Sequence, residues 1–351
     1  MRCRLRWLFA AVVILAPSVA GWAQPAALPA AAADKPADAA DKPVESKTHK
    51  WEFGTSIRAG GGPCVGLMGT FPVPIDWPEQ QVKVVNEQIS PNVQRHSYRT
   101  ADGLKQMLFE VPQLPTGSTA ECFITFEITK RAQTPPRDTT TLVIPKDPPR
   151  EVKKFLNPSP LIETTNAKVR SLARELPVGK EAAWDQVQAI LDGVREKVKF
   201  EQDPKNVFKG AIGALRDGKA DREDLTATFV AVCRAAKIPA RMVWAMDYCY
   251  AEFYLEERPD ADAAADADEK GVKEKKSAKE GKTPKGAWYP CIVHEQKELG
   301  ACADFRPIME KGDNFKVPEE KTVQRFVKEF LTGKGGTGGK PSVEFRRRNA
   351  D

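Results

Sequence analysis

The chain has 351 residues, enough for about two domains, and its 41% hydrophobic and 29% charged content is an ordinary globular mixture. Its formal charge of +6 includes three arginines and no acid in residues 1–23, so the rest carries +3; that excludes the strongly basic balance of a nucleic-acid binder. With three histidines (His49, His96, His294) and no CxxC or Cys/His ligand spacing, no metal and no cofactor is expected.

Arg2, Arg4 and Arg6 precede an apolar run, Trp7 to Ala16, and then small residues, Ser18-Val19-Ala20 and Gly21-Trp22-Ala23. This is the pattern of a secretory signal peptide over 1–23, too short to span a bilayer stably. No later stretch is apolar enough to span either, so export to a periplasm or the extracellular space is expected, with no membrane span after cleavage. Six cysteines remain after that cleavage, Cys64, Cys122, Cys233, Cys249, Cys291 and Cys302. In an oxidising space they could pair.

Residues 24–47 are Ala, Pro, Asp and Lys, lacking the apolar residues to fold, and read as a disordered tether. Residues 48–146 read as an antiparallel β-sandwich. Ala120, Cys122, Ile124, Phe126 and Ile128 alternate with Glu121, Thr125, Glu127 and Thr129, the period of a half-buried strand. Val82 and Val84, and 106–111, suggest further strands, with turns at Gly60 to Pro63, Asp102-Gly103 and Pro115 to Gly117. Cys122 points to the core, where it could pair with Cys64 or stay a free thiol. Beyond a Pro-rich boundary, residues 160–331 switch to helical spacing. Val169, Leu172, Ala173 and Leu176 form one stripe, Trp184, Val187, Ile190, Leu191, Val194 and Val198 a second, and Leu225, Phe229, Val232, Cys233 and Ala236 a third. Strand-like runs follow at 242–246, 250–255 and 288–293. Between the last two, 256–286 is acidic then basic, with almost no apolar content, and reads as a disordered surface insert. Val323, Phe326, Val327, Phe330 and Leu331 predict a final helix. Residues 332–351 read as a flexible tail, with Arg346 to Arg348 a solvated basic end. The fold class is α+β.

One region carries a resemblance. Ala214-Leu215-Arg216-Asp217-Gly218, Asp224-Leu225 and the run Phe229 to Arg241, with Arg-Ala-Ala-Lys-Ile-Pro-Ala-Arg at 234–241, are similar to transglutaminase-like domains, which share a papain-like core. Tyr250 to Leu255 resembles that family's middle strand, and Ala287-Trp288-Tyr289-Pro290 its later one. The resemblance implies a thiolate at a helix N-terminus, favoured by the helix dipole, an imidazole that shuttles the proton, and an acid that orients the ring. Carried over by position, the nucleophile falls on Arg222, the histidine on Tyr248 and the acid near Ile292. A guanidinium is no nucleophile, a phenol is a poor base, and an isoleucine orients nothing. The triad is therefore degenerate. Cys249 and Cys291 flank two of these positions, as buried thiols or a disulfide, and Cys249 is the fallback thiol. His294, three residues beyond Cys291, falls on the opposite face if the strand continues. Arg234 and Arg241 are expected to hold structural carboxylates such as Asp224 or Glu252.

The expected function is an exported, non-catalytic module that binds a peptide or another exported protein in the former substrate groove, with Tyr250, Glu252, Trp288 and Arg241 as groove candidates. Two alternatives are a thiol amidase, peptidase or protein cross-linker with a relocated nucleophile, and a purely structural envelope protein.

Overall fold

A computed structural model describes residues 44–203, 207–258, 285–335 and 340–351. The expectations for a leader, for most of the tether and for the insert at 259–284 fall outside these residues.

Six strands come first: β1 (Ser46–Arg58), β2 (Cys64–Val73), β3 (Gln80–Ile89), β4 (Arg95–Ala101), β5 (Leu104–Leu114) and β6 (Thr119–Arg131). The alternation in β6 holds: Ala120, Cys122, Ile124, Phe126 and Ile128 are buried while Glu121, Thr125, Glu127 and Thr129 are partly exposed. Its apolar row joins a core shared with β1, β2 and β5, where Phe53 is edge-on to Phe126 at 5.9 Å and Phe71 of β2 is tilted on Phe109 of β5 at 6.1 Å. A short β7 (Leu142–Val143) leads into four helices and two small strands: α1 (Arg150–Lys153), α2 (Ala167–Glu175), α3 (Ala183–Lys197), β8 (Lys199–Phe200), α4 (Gly210–Asp217), β9 (Lys219–Ala220) and then α5 (Arg222–Ala235), the fifth helix. The remaining strands are β10 (Ala240–Ala245), β11 (Tyr248–Glu257), β12 (Gly286–Cys291), β13 (Ile308–Lys311), β14 (Phe330–Gly335) and β15 (Ser342–Asn349). The third helical stripe marks α5 correctly, but the helix is no surface element. Every residue from Asp224 to Arg234 is buried, as the central helix of a core shared with α2, α3, β10 and β11.

Two C-terminal expectations are corrected. No helix forms over 323–331. Phe330 and Leu331 begin β14, which pairs with β2, while Val327 packs with Leu104 and Phe315 and Phe326 lies 5.0 Å from the ring of Trp244. The apolar stripe thus serves several contacts, and its helical spacing is coincidental. The tail is not free either: β15 pairs with β1 from Trp51↔Asn349 to Arg58↔Ser342. Backbone hydrogen bonds to β1 hold a sequence too polar to announce itself. The sandwich therefore draws strands from both ends of the chain, and β1 starts at Ser46, inside the expected tether. β11 likewise runs on to Glu257 and β12 starts at Gly286, at the edges of the expected insert.

The two halves also share a sheet, in the order β12-β11-β10-β13-β5-β2-β14. The join is narrow. Glu310 of β13 pairs with Leu104 of β5, and the Lys311 amide donates to Gly103 O at 2.9 Å. Gly103 has φ +78° and a Cβ there would lie 2.0 Å from Lys311 O, so the Asp102-Gly103 turn admits only glycine at the join.

Beneath the join lies a buried charge network. Lys311 Nζ donates to Glu79 and to Glu252, each at 2.5 Å, and Arg241 Nε donates to Glu252 at 2.8 Å. Arg234 grips Asp313 through Nη2 at 2.6 and 2.8 Å. Arg241 thus takes Glu252 as expected, whereas Arg234 takes Asp313 and not Asp224. All six described cysteines are free and buried. Cys64 and Cys122 stand on strands of different sheets, and neither they nor Cys249 and Cys291 are bridged.

Removing one partner of a buried ion pair leaves an uncompensated charge. Lys311→Met is expected to cost about 3–5 kcal/mol, read from urea unfolding, while the exposed Lys153→Ala should stay within roughly 0.5 kcal/mol of the parent. A chain ending at Gly335 would strip β1 of one of its two partners, leaving β6; a lowered midpoint of thermal unfolding is expected, and an unchanged one would show that β15 contributes nothing.

Candidate functional site at the start of the central helix

The sequence around α5 fixes its start from several sides. α4 ends at Gly218, whose φ of +68° gives the left-handed cap that lets its N–H return to Ala214 O. Asp221 caps α5, accepting from the Asp224 amide at 2.9 Å. The buried Asp224 carboxylate takes the amides of Lys209 and Gly210 at 2.9 Å each, tying the start of α4 to that of α5. Arg222 is then the first helical residue, where the resemblance places a nucleophile.

The structure brings Arg222 and Tyr248 together. The Arg222 guanidinium lies 4.7 Å from the centre of the Tyr248 ring, and that of Arg306 lies 3.8 Å from it. Tyr248 donates its hydroxyl hydrogen to Glu295 Oε1 at 2.9 Å; burial and that carboxylate raise its pKa well above the ordinary phenol value. Arg222 also donates to Asp247 O at 3.2 Å, the carbonyl of a turn residue with φ +50°, a conformation aspartate tolerates. Ile292 sits with Tyr248 and Tyr250 in a small apolar cluster, its carbonyl accepting from Arg195 at 2.9 Å.

His294 belongs to this group, contrary to the alternation argument. β12 ends at Cys291 and the chain turns, so period two no longer governs where His294 points. Its Nε2 accepts from Arg222 Nε at 3.3 Å, and its ring meets Tyr248 at 5.3 Å and Phe200 at 5.4 Å. Burial, then the Arg222 charge, lower its pKa to about 4, so it is neutral near pH 7. Glu295 and Arg306 were also missed; no local pattern announces either. What unites all three is proximity in space across loops.

A cleft of about 260 Å³ opens beside this group, lined by Arg222, Glu223, Trp244, Tyr248, Cys249 and Glu310 among others, with Phe208 and Phe326 at its edge. Cys249 is fully buried, and burial pushes its thiol far above the ordinary range. Two acids in the cleft wall are also shifted. Burial raises Glu223 to about 8 against the pull of Arg325, its ion-pair partner. Burial raises Glu310 to about 8 against the Val327 amide it accepts from.

The four groove candidates lie elsewhere, and none lines this cleft. Tyr250 and Glu252 are fully buried. On β11 they alternate with Cys249, Ala251 and Phe253, which face the helices, and Glu252 is spoken for by Lys311 and Arg241. Trp288 and Arg241 are half-buried and stack on each other at 4.0 Å, so they form a structural contact away from the cleft. Among the described residues no cluster of metal-ligating side chains occurs, and no helix is long and apolar enough to cross a membrane.

Residues 170–291 match the transglutaminase-like superfamily. A search of curated proteins finds no match. Among solved structures the chain is similar to a candidate cysteine protease from Cytophaga hutchinsonii, at 14% identity and TM-score 0.50, over 88% of this chain and 93% of that one. It is also matched to the periplasmic domain of TgpA from Pseudomonas aeruginosa bound to ethylmercury, at 14% identity and TM-score 0.27, over 60% and 86% of the two chains. The first likeness bears on the fold alone.

The acids give a pH dependence with a definite sign. Glu310 has a folded pKa near 8 against an ordinary 4.5, so its contribution is fully present below 4.5 and is lost as pH rises through 8. Glu310→Gln keeps an acceptor for the Val327 amide and removes that loss. The variant should be more stable than the parent at pH 8, by on the order of 4 kcal/mol, and equal to it near pH 4; urea unfolding at the two pH values checks this.

Proposed function

With residues 170–291 a transglutaminase-like domain, we propose that the protein is exported and non-catalytic, and that its cleft at the start of α5 holds an extended peptide segment of a partner. The observation that carries this reading is the Arg222–Tyr248 stack. The positions where the family's thiol and imidazole would act hold a guanidinium 4.7 Å from a phenol ring. Neither group can attack an amide carbonyl and pass its proton on. The neighbouring His294 is engaged by Arg222 and, with a pKa near 4, is a weak base. Export is supported by the basic, apolar and small-residue pattern of residues 1–23. Peptide binding is supported by the apolar edge of the cleft, where Phe208 is 37% exposed and Phe326 is half-buried.

A second reading, a thiol enzyme with a relocated nucleophile, is favoured by one observation: Cys249 lines the cleft within electrostatic reach of Arg222. Its burial opposes it, because the thiolate is the nucleophile and a buried thiol resists forming one.

Iodoacetamide labelling at pH 6 under native conditions, mapped by mass spectrometry, separates the two. Slow labelling at every cysteine is expected. Rapid and selective labelling of Cys249, with amide hydrolysis lost in Cys249→Ser, would overturn the non-catalytic reading. For the binding half, peptides selected from a random library on the full-length chain should lose affinity for Phe208→Ala; if no selected peptide responds, the cleft is not the binding site.

A further inference from the structure

Of the buried carboxylates, Asp221, Asp224, Glu256 and Glu310 have no paired cation among the described residues; Asp221 and Glu310 line the cleft, and Asp221 is already the cap of α5. Glu79, Glu252 and Asp313 each have a lysine or arginine nitrogen within 2.8 Å. Glu310 is 2% exposed, yet no cation is paired with it among the described residues. Its two oxygens share a single donor, the Val327 amide, at 2.9 and 3.2 Å. The charged groups around it are committed elsewhere: Arg347, on the same cleft wall, pairs with Glu329, and Arg325 pairs with Glu223.

The cleft already shows what chemistry suits its wall. Glu310 stands opposite Trp244 in the β13–β10 register, and Trp244 packs on Phe326 at 5.0 Å. The Arg325 guanidinium lies 4.0 Å from the Phe208 ring centre, 5.7 Å from that of Phe326 and 5.8 Å from that of Trp244, with Glu223 as its counter-charge. One carboxyl on this wall therefore already serves a guanidinium held over aromatic rings, an arrangement that favours a cation electrostatically and by stacking. Glu310 repeats the carboxyl and the aromatic wall without the guanidinium.

We propose that the cleft reads a basic residue, the arginine or lysine side chain of an extended partner segment, by pairing it with Glu310 beside Trp244 and Phe326. The inference rests on the peptide-binding reading and names the side chain that reading leaves open. A guanidinium supplies the counter-charge that stabilises the ionised form of this carboxyl, which a neutral side chain of the same shape cannot do. Burial that keeps Glu310 protonated near pH 7 adds a signature: pairing with a cation expels its proton to the buffer.

The test is isothermal titration of the full-length chain with N-acetyl-L-arginine amide, its neutral isostere N-acetyl-L-citrulline amide, and N-acetyl-L-glutamate amide. The arginine compound is expected to bind, the citrulline compound at least about tenfold more weakly, with proton release visible as a buffer-dependent heat. Glu310→Gln, whose folding is verified by its thermal midpoint, should weaken the arginine compound about tenfold and abolish the proton release. Equal binding of arginine and citrulline compounds, undiminished binding by Glu310→Gln, or no binding of the arginine compound would each overturn the proposal. Binding of the glutamate compound alone, lost in Arg222→Ala, would overturn it in favour of an anion site at the helix start. None of these outcomes touches the thiol-labelling result, and library peptides that still respond to Phe208→Ala would confine the failure to the basic residue.

Discussion

The carboxylate of Glu252 is the constraint on which this architecture turns. It is fully buried, a position that raises a carboxyl's pKa unless cations offset the burial. Lys311 and Arg241 do so and hold it below its ordinary value. Lys311 also takes Glu79 from the chain just ahead of β3. Three regions distant in sequence thus meet at one ionic cluster: the approach to β3, the β10–β11 hairpin and β13. Buried pairs of this kind are weak evidence of added stability but leave little freedom in how their elements meet. The backbone join between β5 and β13 is slender, one bridge and one amide bond near Gly103. The charges beneath it define how β13 lies against β10.

That placement sets the cleft. Asp313, two residues past β13, is gripped by Arg234 near the C-terminal end of α5, while Asp221 and Asp224 hold its N-terminal end. The helix is therefore located at both ends, and its first residue faces the turn that leads into β11. Stacking of Arg222 on Tyr248 follows from this scaffold, and so does the closeness of Glu310 to Trp244. The wall opposite the helix comes from β13 and the segment before β14, which places Phe326 and Val327 against the later half. Apart from Pro72 of β2 and Arg347 of β15, the cleft is lined from within the stretch 160–331 that the sequence reads as one domain.

Several elements were legible in the sequence for identifiable reasons. β6 alternates with period two because one face meets the sandwich core. The α2 and α3 stripes follow their buried faces. The run ending in Ile238-Pro239-Ala240-Arg241 places the end of the central helix, because proline cannot continue it. The same run sets the count back to Arg222 and forward to Tyr248, which the structure brings together. Less legible was anything governed by a neighbour in space. The stripe from Val323 to Leu331 matches helical spacing, yet its side chains serve different contacts. β15 has only Val343 and Phe345 as apolar residues, with Phe345 against the sandwich core, and its strand conformation comes from pairing with β1. His294 lay beyond the end of a strand that the alternation argument assumed to continue.

By itself the sequence determined the class of the fold, the helices and strands with clear periodicity, and the residue types at the three positions the resemblance marks. These are local properties, set by side-chain spacing, by proline and glycine, and by which chemical groups a residue carries. Only the tertiary structure decided which charges neutralise one another, that Tyr250 and Glu252 belong to the interior, and that Cys249 is a buried thiol. It also decided that Glu310 is buried with no cation paired to it among the described residues. Such facts depend on the distance between residues far apart in the chain and on the water excluded around them, and neither quantity is written in the order of the residues.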